Sequence, residues 1–361
     1  MSPAPFTIDE LPIPPLLDAP GGDAFREMVA VRNEVEATAL GSMALAVTPE
    51  ELLPVFQRQQ FDPKRLFLAR IDGRVVARGV LAWSNEDGSR LAWPYADVVP
   101  DVRNNGIGTA LFDLMEGIAH DMGRTVLQTD TIHTTDGAER VHAPTGFGSL
   151  PASDDGVRFL TKRGYALEQI GRISFLDLPI DPAVLARQRA EAGARAGSGY
   201  RLLTWLGLPS PELHSDLAYL KNRMSVDMPA ADLEVDEETW TEDRVVALYQ
   251  GEIDGGRPML VTVAQHVPSG RLVAINELSV PNDRSRPVGQ EDTLVLQDHR
   301  GHRFGMLVKV ANLQELAKIA PNAPLVFTFN AEENRPMLDV NEAVGYRAVG
   351  YDGSWQKIIS T

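Results

Sequence analysis

Cysteine is absent from the 361-residue sequence. This absence excludes disulfide scaffolds, thiolate nucleophiles, iron–sulfur clusters and zinc sites built from cysteine. Basic residues are also few, with 34 Lys and Arg against 50 Asp and Glu, and the formal net charge is −16. Because so acidic a chain repels phosphate backbones and anionic lipids, we expect neither a nucleic-acid partner nor a membrane partner.

Long apolar runs are missing as well. None approaches the roughly 18 residues that a membrane-spanning helix needs. The N-terminal segment contains no basic stretch followed by an apolar one, so we expect no signal peptide and a cytoplasmic protein. The length is roughly twice that of one domain, which predicts two domains.

The sequence contains an internal repeat. Two segments, Gly73–Gly108 and Gly270–Gly305, align without a gap at an offset of 197 residues and share ten identical residues. Self-similarity over such a length indicates two copies of one fold. We therefore predict an N-terminal domain at 1–180 and a C-terminal domain at 200–361, joined by an Ala/Arg-rich helical linker at 181–199.

Each copy has the same predicted order of elements. A hairpin comes first, and its Asp72-Gly73 turn in the first half is a strong hairpin signal. A third strand, a glycine-bearing loop, an amphipathic helix, a buried strand and a short helix ending in Gly-Tyr follow. This pattern predicts an α/β fold in which each domain has a mixed central sheet flanked by helices.

The loop from Val98 to Gly108 lies between a predicted strand and a predicted helix. Such a loop directs successive backbone N–H groups outward at a helix N-terminus, where the helix dipole also favours negative charge. Glycines at 106 and 108 allow a ligand to approach the backbone closely. The loop therefore predicts a pyrophosphate cradle, with a plain strand-to-helix turn as the alternative.

The hairpin, the V-x-P-x-x-R-x-x-G-x-G loop and the Gly-aromatic helix end together resemble the GCN5-related N-acetyltransferase (GNAT) family. The tandem arrangement resembles that of mycothiol synthase and of Eis-type acetyltransferases. The resemblance implies acetyl-CoA, or another acyl-CoA, as co-substrate, with its pantetheine arm beside a splayed strand and its pyrophosphate on the loop. The cofactor-binding residues that it implies in the first half are Val98, Val99, Arg103, Asn104, Asn105, Gly106, Ile107, Gly108 and Thr109.

The second half carries an altered form of the same loop. Arg303 stands where the family's first motif glycine is expected, so its side chain either neutralises phosphate or crowds the cradle. The cofactor-binding residues expected in the second half are Val295, Arg300, Gly301, His302, Arg303, Phe304, Gly305, Asn330 and Asn334. Two histidines of this loop have no further clustered ligands, and we expect no metal site.

The resemblance also implies a general acid, a tyrosine four residues before the Gly-aromatic pair that reprotonates the CoA thiolate. Leu160 and Asn341 occupy this position in the two halves, and neither is a phenol. The family's usual acid is therefore missing from both copies.

For the base that takes the amine proton, the second half offers two strand carboxylates, Glu277 and Asp292. The equivalent residues of the first half, Val80 and Tyr95, do not titrate near neutral pH. We predict Glu277, Asp292 and Asn341 as the catalytic residues, which places acceptor chemistry in the second half. Solvent-facing strand carboxylates without a catalytic role are the alternative.

The segment Asp227–Asp254 contains ten acidic residues and one basic residue. A cationic acceptor is steered and held by such a surface, and a solvated helical face around Glu234–Glu242 is the alternative. We predict an acyl-CoA-dependent N-acyltransferase that acetylates a small amine by direct attack, as a monomer or homodimer. A non-catalytic acyl-CoA sensor or scaffold is one alternative, and an aminoacyl-tRNA-dependent transferase, which the acidity disfavours, is another.

Overall fold

The predicted hairpin at Asp72-Gly73 is present, and both residues adopt the positive φ that a tight turn requires. This computed structural model describes residues 5–61, 63–134, 139–227 and 229–359. The elements of the first half are β1 (Thr7–Glu10), α1 (Gly22–Leu40), α2 (Pro49–Gln57), β2 (Lys64–Ile71), β3 (Arg74–Trp83), β4 (Leu91–Val98), α3 (Ile107–Asp121), β5 (Val126–His133), β6 (Arg140–His142), β7 (Ser149–Pro151), α4 (Asp155–Lys162) and β8 (Ala166–Asp177). The elements that follow are α5 (Pro182–Ala196), β9 (Tyr200–Leu206), α6 (His214–Asp227), α7 (Glu242–Asp254), β10 (Met259–His266), β11 (Leu272–Ser279), β12 (Val288–Val295), α8 (Phe304–Ile319), β13 (Leu325–Ala331), α9 (Arg335–Val344) and β14 (Arg347–Ile358).

Tertiary contacts divide the described chain into two compact units that do not follow chain order. Unit 1 contains the residues up to Gly171, the short segment Ala230–Asp236 and the residues from Gly350 onward. Unit 2 contains Arg172–Pro229 and Glu237–Val349. The units thus differ from the predicted division at 180 and 200, because most of β14 belongs to unit 1 and the predicted linker belongs to unit 2.

The sheet of unit 1 has the order β1-β2-β3-β4-β5, and β14 adds a further strand beside β5. The β14 strand pairs antiparallel with β5, from Tyr351 opposite His133 to Ile358 opposite Val126. Helix α3 packs on this sheet through Leu111 and Met115, which are fully buried. Burying each of these side chains contributes roughly 1.5–3 kcal/mol.

The sheet of unit 2 has the order β9-β10-β11-β12-β13, with β8 beside β13. Helix α8 is buried on every side from Met306 to Leu313, because it packs between this sheet and helix α5. The predicted linker is therefore a packed helix, with Leu185, Ala192 and Ala196 in the core of unit 2. No helix in the described ranges is long and apolar enough to cross a membrane.

Among the described residues, the sheet of each unit contains a parallel strand pair that separates after two residues. The pairs are Leu91–Val126 and Ala92–Leu127 between β4 and β5, and Val288–Val326 and Gly289–Phe327 between β12 and β13. Beyond them, β4 remains paired with β3 as far as Val98, and β12 remains paired with β11 as far as Val295. A gap therefore opens on the other side of β4 and of β12, and strand edges there retain backbone groups without a sheet partner.

Candidate functional site

The first predicted cradle lies at the end of β4. Two of its residues, Asn104 and Gly106, adopt the left-handed conformation with φ of 63° and 84°. The amide of Ala110 donates to the Gly106 carbonyl as the first hydrogen bond of α3, so the amides from Gly106 to Thr109 have no acceptor within the helix. These amides lie at the positive end of the α3 dipole, where they are available to an anion.

The second loop has the same backbone conformation, but its glycine is at the first of the two left-handed positions and not at the second. Gly301 and Arg303, which are equivalent to Asn104 and Gly106, have φ of 83° and 59°. The Leu307 amide donates to the Arg303 carbonyl as the first bond of α8. Arg303 at the first motif position therefore leaves the backbone of the loop unchanged, although a non-glycine residue is disfavoured in this conformation.

The side chain of Arg303 extends towards α5. Its guanidinium contacts Glu191 at 3.1 Å and Gln188 at 3.4 Å. A Cβ built on Gly305 has its nearest neighbour at 3.8 Å, so the helix start is open. A groove of about 190 Å³ adjoins it, lined by Arg303, Gly305, Met306, Asp339, Val340 and Ala343.

The two motif arginines hold their own loops closed. The Nε atom of Arg103 donates to the Val98 carbonyl at 3.1 Å, and that of Arg300 donates to the Val295 carbonyl at 3.2 Å. A carboxylate completes each contact, Asp155 in unit 1 at 4.0 Å and Asp227 in unit 2 at 3.0 Å. Each arginine therefore ties its loop to the last residue of the preceding strand.

The residues predicted to pair with the pantetheine arm face different directions. The Val99 amide donates to the Val76 carbonyl at 3.0 Å and is used by the sheet. Because backbone groups alternate in direction along a strand, the peptide groups of Val98 face the gap instead. Of these two residues, only Val98 therefore has a backbone group for a ligand in the gap, and that group is its amide, because its carbonyl already accepts from Arg103.

The two carboxylates predicted in unit 2 share one buried lysine. Lys221 of α6 donates to Glu277 at 2.5 Å and to Asp292 at 2.7 Å, and Tyr249 donates to the other oxygen of Glu277. Burial opposes the charge of Lys221, but the two carboxylates outweigh it and raise its pKa. Glu277 has no exposed surface, whereas the Asp292 side chain is 32% exposed. Only Asp292 is therefore accessible to an acceptor.

Asn341, predicted as a catalytic residue, is buried between two polar partners. It accepts a hydrogen bond from Lys309 and donates to Asn330 at 2.7 Å. Lys309 is 1% exposed, and burial lowers its pKa to about 7. Asn334 caps α9 by accepting from the Met337 amide. Asn330 and Asn341 thus form one buried polar chain, and Asn334 supports a helix end.

The first half, for which no base was predicted, also carries a carboxylate at its gap. Tyr95 and Asp130 each lie four residues past the first paired residue of β4 and of β5. Asp292 and Asn330 occupy the same positions on β12 and β13. The Tyr95 hydroxyl donates to Asp130 across the gap at 3.5 Å. Burial and the Asp130 carboxylate raise the pKa of Tyr95 well above its ordinary value, so the phenol keeps its proton.

Comparisons with known proteins agree with this geometry. Residues 35–147 match the family model described as acetyltransferase (GNAT) family. Across its whole length the chain is similar to a tandem GNAT protein from the clavulanic acid biosynthesis pathway, with a TM-score of 0.76, 21% identity and 99% coverage of both chains. The chain is a tandem GNAT-fold protein.

The tandem GNAT-fold protein is also similar to a GCN5-related N-acetyltransferase from Sphaerobacter thermophilus. Their TM-score is 0.60 at 14% identity, over 99% of this chain and 96% of the other. No curated protein matches it in sequence. The predicted fold class and tandem arrangement are confirmed, and the family model matches within the first half.

The acidic segment of the tandem GNAT-fold protein is not a helical face over its first part, since α7 begins only at Glu242. The Ala230–Asp236 stretch instead lies on the sheet of unit 1. Gln128 of β5 donates to the Glu234 carbonyl at 2.7 Å, and Gln356 of β14 donates to the Asp232 carbonyl at 3.1 Å. This stretch therefore brings acidic side chains to the face that carries Tyr95 and Asp130.

The histidines of the second loop pack on an aromatic side chain. Tyr200 bonds the Nδ1 atom of His299 at 2.9 Å, and the rings of His266 and His302 lie within 6.3 Å of the Tyr200 ring. Within the described ranges, no group of three or more His, Asp or Glu side chains is placed to hold a metal ion.

Proposed function

We propose that the protein is an acyl-CoA-dependent N-acyltransferase that transfers acetyl from acetyl-CoA to a small amine. The observation that carries this proposal is the separated strand pair in each unit, with free helix-terminal amides at the end of the strand. In unit 1 the amides of Asn104, Gly106 and Thr109 and their neighbours would hold the pyrophosphate, and the Val98 backbone would pair with the pantetheine arm. The bound acyl-CoA supplies an activated acyl group, and direct transfer requires no cysteine nucleophile.

The residues of the first cradle fit this ligand. Nothing lies within 4 Å of a Cβ placed on Gly106, and the nearest atoms to one on Gly108 are 3.8 Å away, on Val98 and Phe159. The Nε atom of Arg103 is held at the carbonyl of Val98. The site is thus open, and it presents donors to the charged part of the ligand.

A second candidate function is a non-catalytic acyl-CoA sensor. Leu160 and Asn341 favour it, because neither supplies the acid that the family resemblance implies. Asn341 is further enclosed by Lys309 and Asn330. The two functions differ in one measurable respect, which is thiol release in the presence of an amine.

The test measures acetyl-CoA binding by calorimetry and thiol release with a panel of primary amines. Gly106→Val and Arg303→Val place the same β-branched residue on the equivalent left-handed position of each unit, so each is the matched control of the other. We expect Gly106→Val to weaken acetyl-CoA binding by about tenfold or more, since it displaces several charge-assisted hydrogen bonds. A wild-type protein that does not bind acetyl-CoA refutes both functions, and binding without thiol release leaves the sensor.

A further inference from the structure

One face of the unit 1 sheet carries two carboxylates on neighbouring strands. Three cross-strand pairs of β5 and β14 share this face, because alternate residues point the same way. They are Gln128–Gln356, Asp130–Ser354 and Ile132–Asp352. Asp130 and Asp352 are therefore diagonal neighbours, within reach of one ligand group.

Asp352 is the inner member of this pair. Its Oδ1 atom is buried and accepts no hydrogen bond from the described residues. The carboxylate lies directly against Gly171 of β8, where an added Cβ would stand 2.2 Å from Oδ1. Burial and the Asp130 charge raise the pKa of Asp352 to about 7. A carboxylate with one buried, unpartnered oxygen is compensated either by a proton or by a cation from outside.

Asp130 is the outer, exposed member. It accepts hydrogen bonds from Tyr95 and Ser354, and no basic side chain acts on it or on Asp352 among the described residues. By contrast Asp97, two residues beyond Tyr95 on β4, is paired with Arg78 at 2.5 Å. The fold thus neutralises one acid of this face and leaves a neighbouring pair without a cation.

The surroundings of the pair are acidic as well. The Ala230–Asp236 stretch is held on the adjacent row of the same face by Gln128 and Gln356. In this stretch Glu234 is paired with Arg90. The pKa of Glu168 on β8 is raised mainly by burial and further by the negative charge of Asp232. A face lined by one sign of charge concentrates ligands of the opposite sign.

We propose that Asp130 and Asp352 form the binding site for a primary ammonium group of the acceptor, with Asp130 as the proton acceptor. This inference rests on the proposed function and assigns its acceptor site to unit 1. One N–H bond of the ammonium breaks, its proton passes to an Asp130 oxygen, and the electron pair stays on nitrogen, which becomes nucleophilic. Asp130 then returns the proton to solvent. Asp352 gives up its own proton when the cation arrives, so the charges in the site remain balanced.

The test needs no acyl-CoA. Putrescine and spermidine are titrated calorimetrically into wild-type protein and into Asp130→Asn, Asp352→Asn, Asp292→Asn and Asp87→Asn, of which the last removes one exposed charge from the β3–β4 turn. We expect each of the first two substitutions to weaken binding by about tenfold or more, since each removes a charge-assisted contact, and Asp87→Asn to change it by less than about twofold. Titrations in two buffers of different ionisation enthalpy near pH 7 should show proton release in wild type and none in Asp352→Asn.

Three outcomes overturn the inference. Wild-type protein that binds neither amine at millimolar concentration has no such site. Binding that Asp130→Asn and Asp352→Asn leave unchanged places the cation elsewhere, and binding lost only in Asp292→Asn places it in unit 2. Amine binding that follows the expected pattern in a protein that does not bind acetyl-CoA supports the cation site and refutes the proposed function alone.

Discussion

The raised pKa of Asp352 leads to a prediction about the pH dependence of folding stability, which can be tested without a ligand. The pKa of this carboxylate is about 7 in the folded protein, against an ordinary value of 3.8. Because the raised pKa means that folding takes up a proton between these values, the stability it provides is fully present below pH 3.8 and is lost as pH rises through 7. Unit 1 should therefore become less stable as this carboxylate is forced to ionise.

The size of the effect follows from the shift. About three pH units at roughly 1.4 kcal/mol each give roughly 4 kcal/mol, and partial exposure of the side chain reduces this to about 2–4 kcal/mol. Asp352→Asn keeps the shape of the side chain and removes its titration. The variant and wild type should therefore be similarly stable near pH 4, and the variant should be more stable by about 2–4 kcal/mol near pH 9.

Urea unfolding at a series of pH values measures this difference. Tryptophan fluorescence reports on the relevant strand, since Trp355 lies on β14 and is almost fully buried. Asp87→Asn controls for the loss of one negative charge at an exposed position. Parallel stability curves for wild type and Asp352→Asn would mean that Asp352 titrates normally, and the argument for a buried, uncompensated carboxylate would fail.

Three further predictions concern packing and buried charge. Gly171→Ala should destabilise unit 1 by about 1–3 kcal/mol, because its Cβ meets the Asp352 carboxylate. As a control, Gly117→Ala in α3, which has open space around it, should stabilise unit 1 by about 0.5–1 kcal/mol. Equal melting temperatures for wild type and Gly171→Ala would contradict the expected clash. Wild-type unit 2 should gain stability between pH 7 and 10.5, where folded Lys309 holds fewer protons than the unfolded chain, and Lys309→Met should abolish that rise in urea titrations. Lys221→Met should cost about 3–5 kcal/mol by leaving Glu277 buried without its cation, and a loss below about 1 kcal/mol would show that the pair is not buried in solution.

The fold and the loops were predictable because their signals are local. An Asp-Gly turn, a helical apolar period and an arginine three residues before a glycine are all read within a few positions. The φ values explain why the altered loop could still be recognised as a second copy of the first. Each loop needs two left-handed residues and has one glycine for them, at 106 or at 301, so moving the glycine preserved the backbone.

The candidate base was harder to predict, because its environment depends on residues far away in sequence. Glu277 looked like a free strand carboxylate, but Lys221, 56 residues earlier, neutralises it. Asp130 was overlooked because Ser354 and Asp352 lie on a strand near the other end of the chain. The usable signal was the polar run around Asp130 in an otherwise buried strand, together with the matching position of Asn330.

The placement of β14 in unit 1 has a consequence for synthesis on the ribosome. Residues 351–358 form the strand beside β5, yet they are translated after nearly all of unit 2. Domains usually fold in order as the chain emerges, the N-terminal one first. The edge of β5 that pairs with β14 therefore stays unpaired while unit 2 is being synthesised. Unit 1 is completed only when β14 has emerged from the ribosome. The carboxylate pair of Asp130 and Asp352 comes into existence only at that final step.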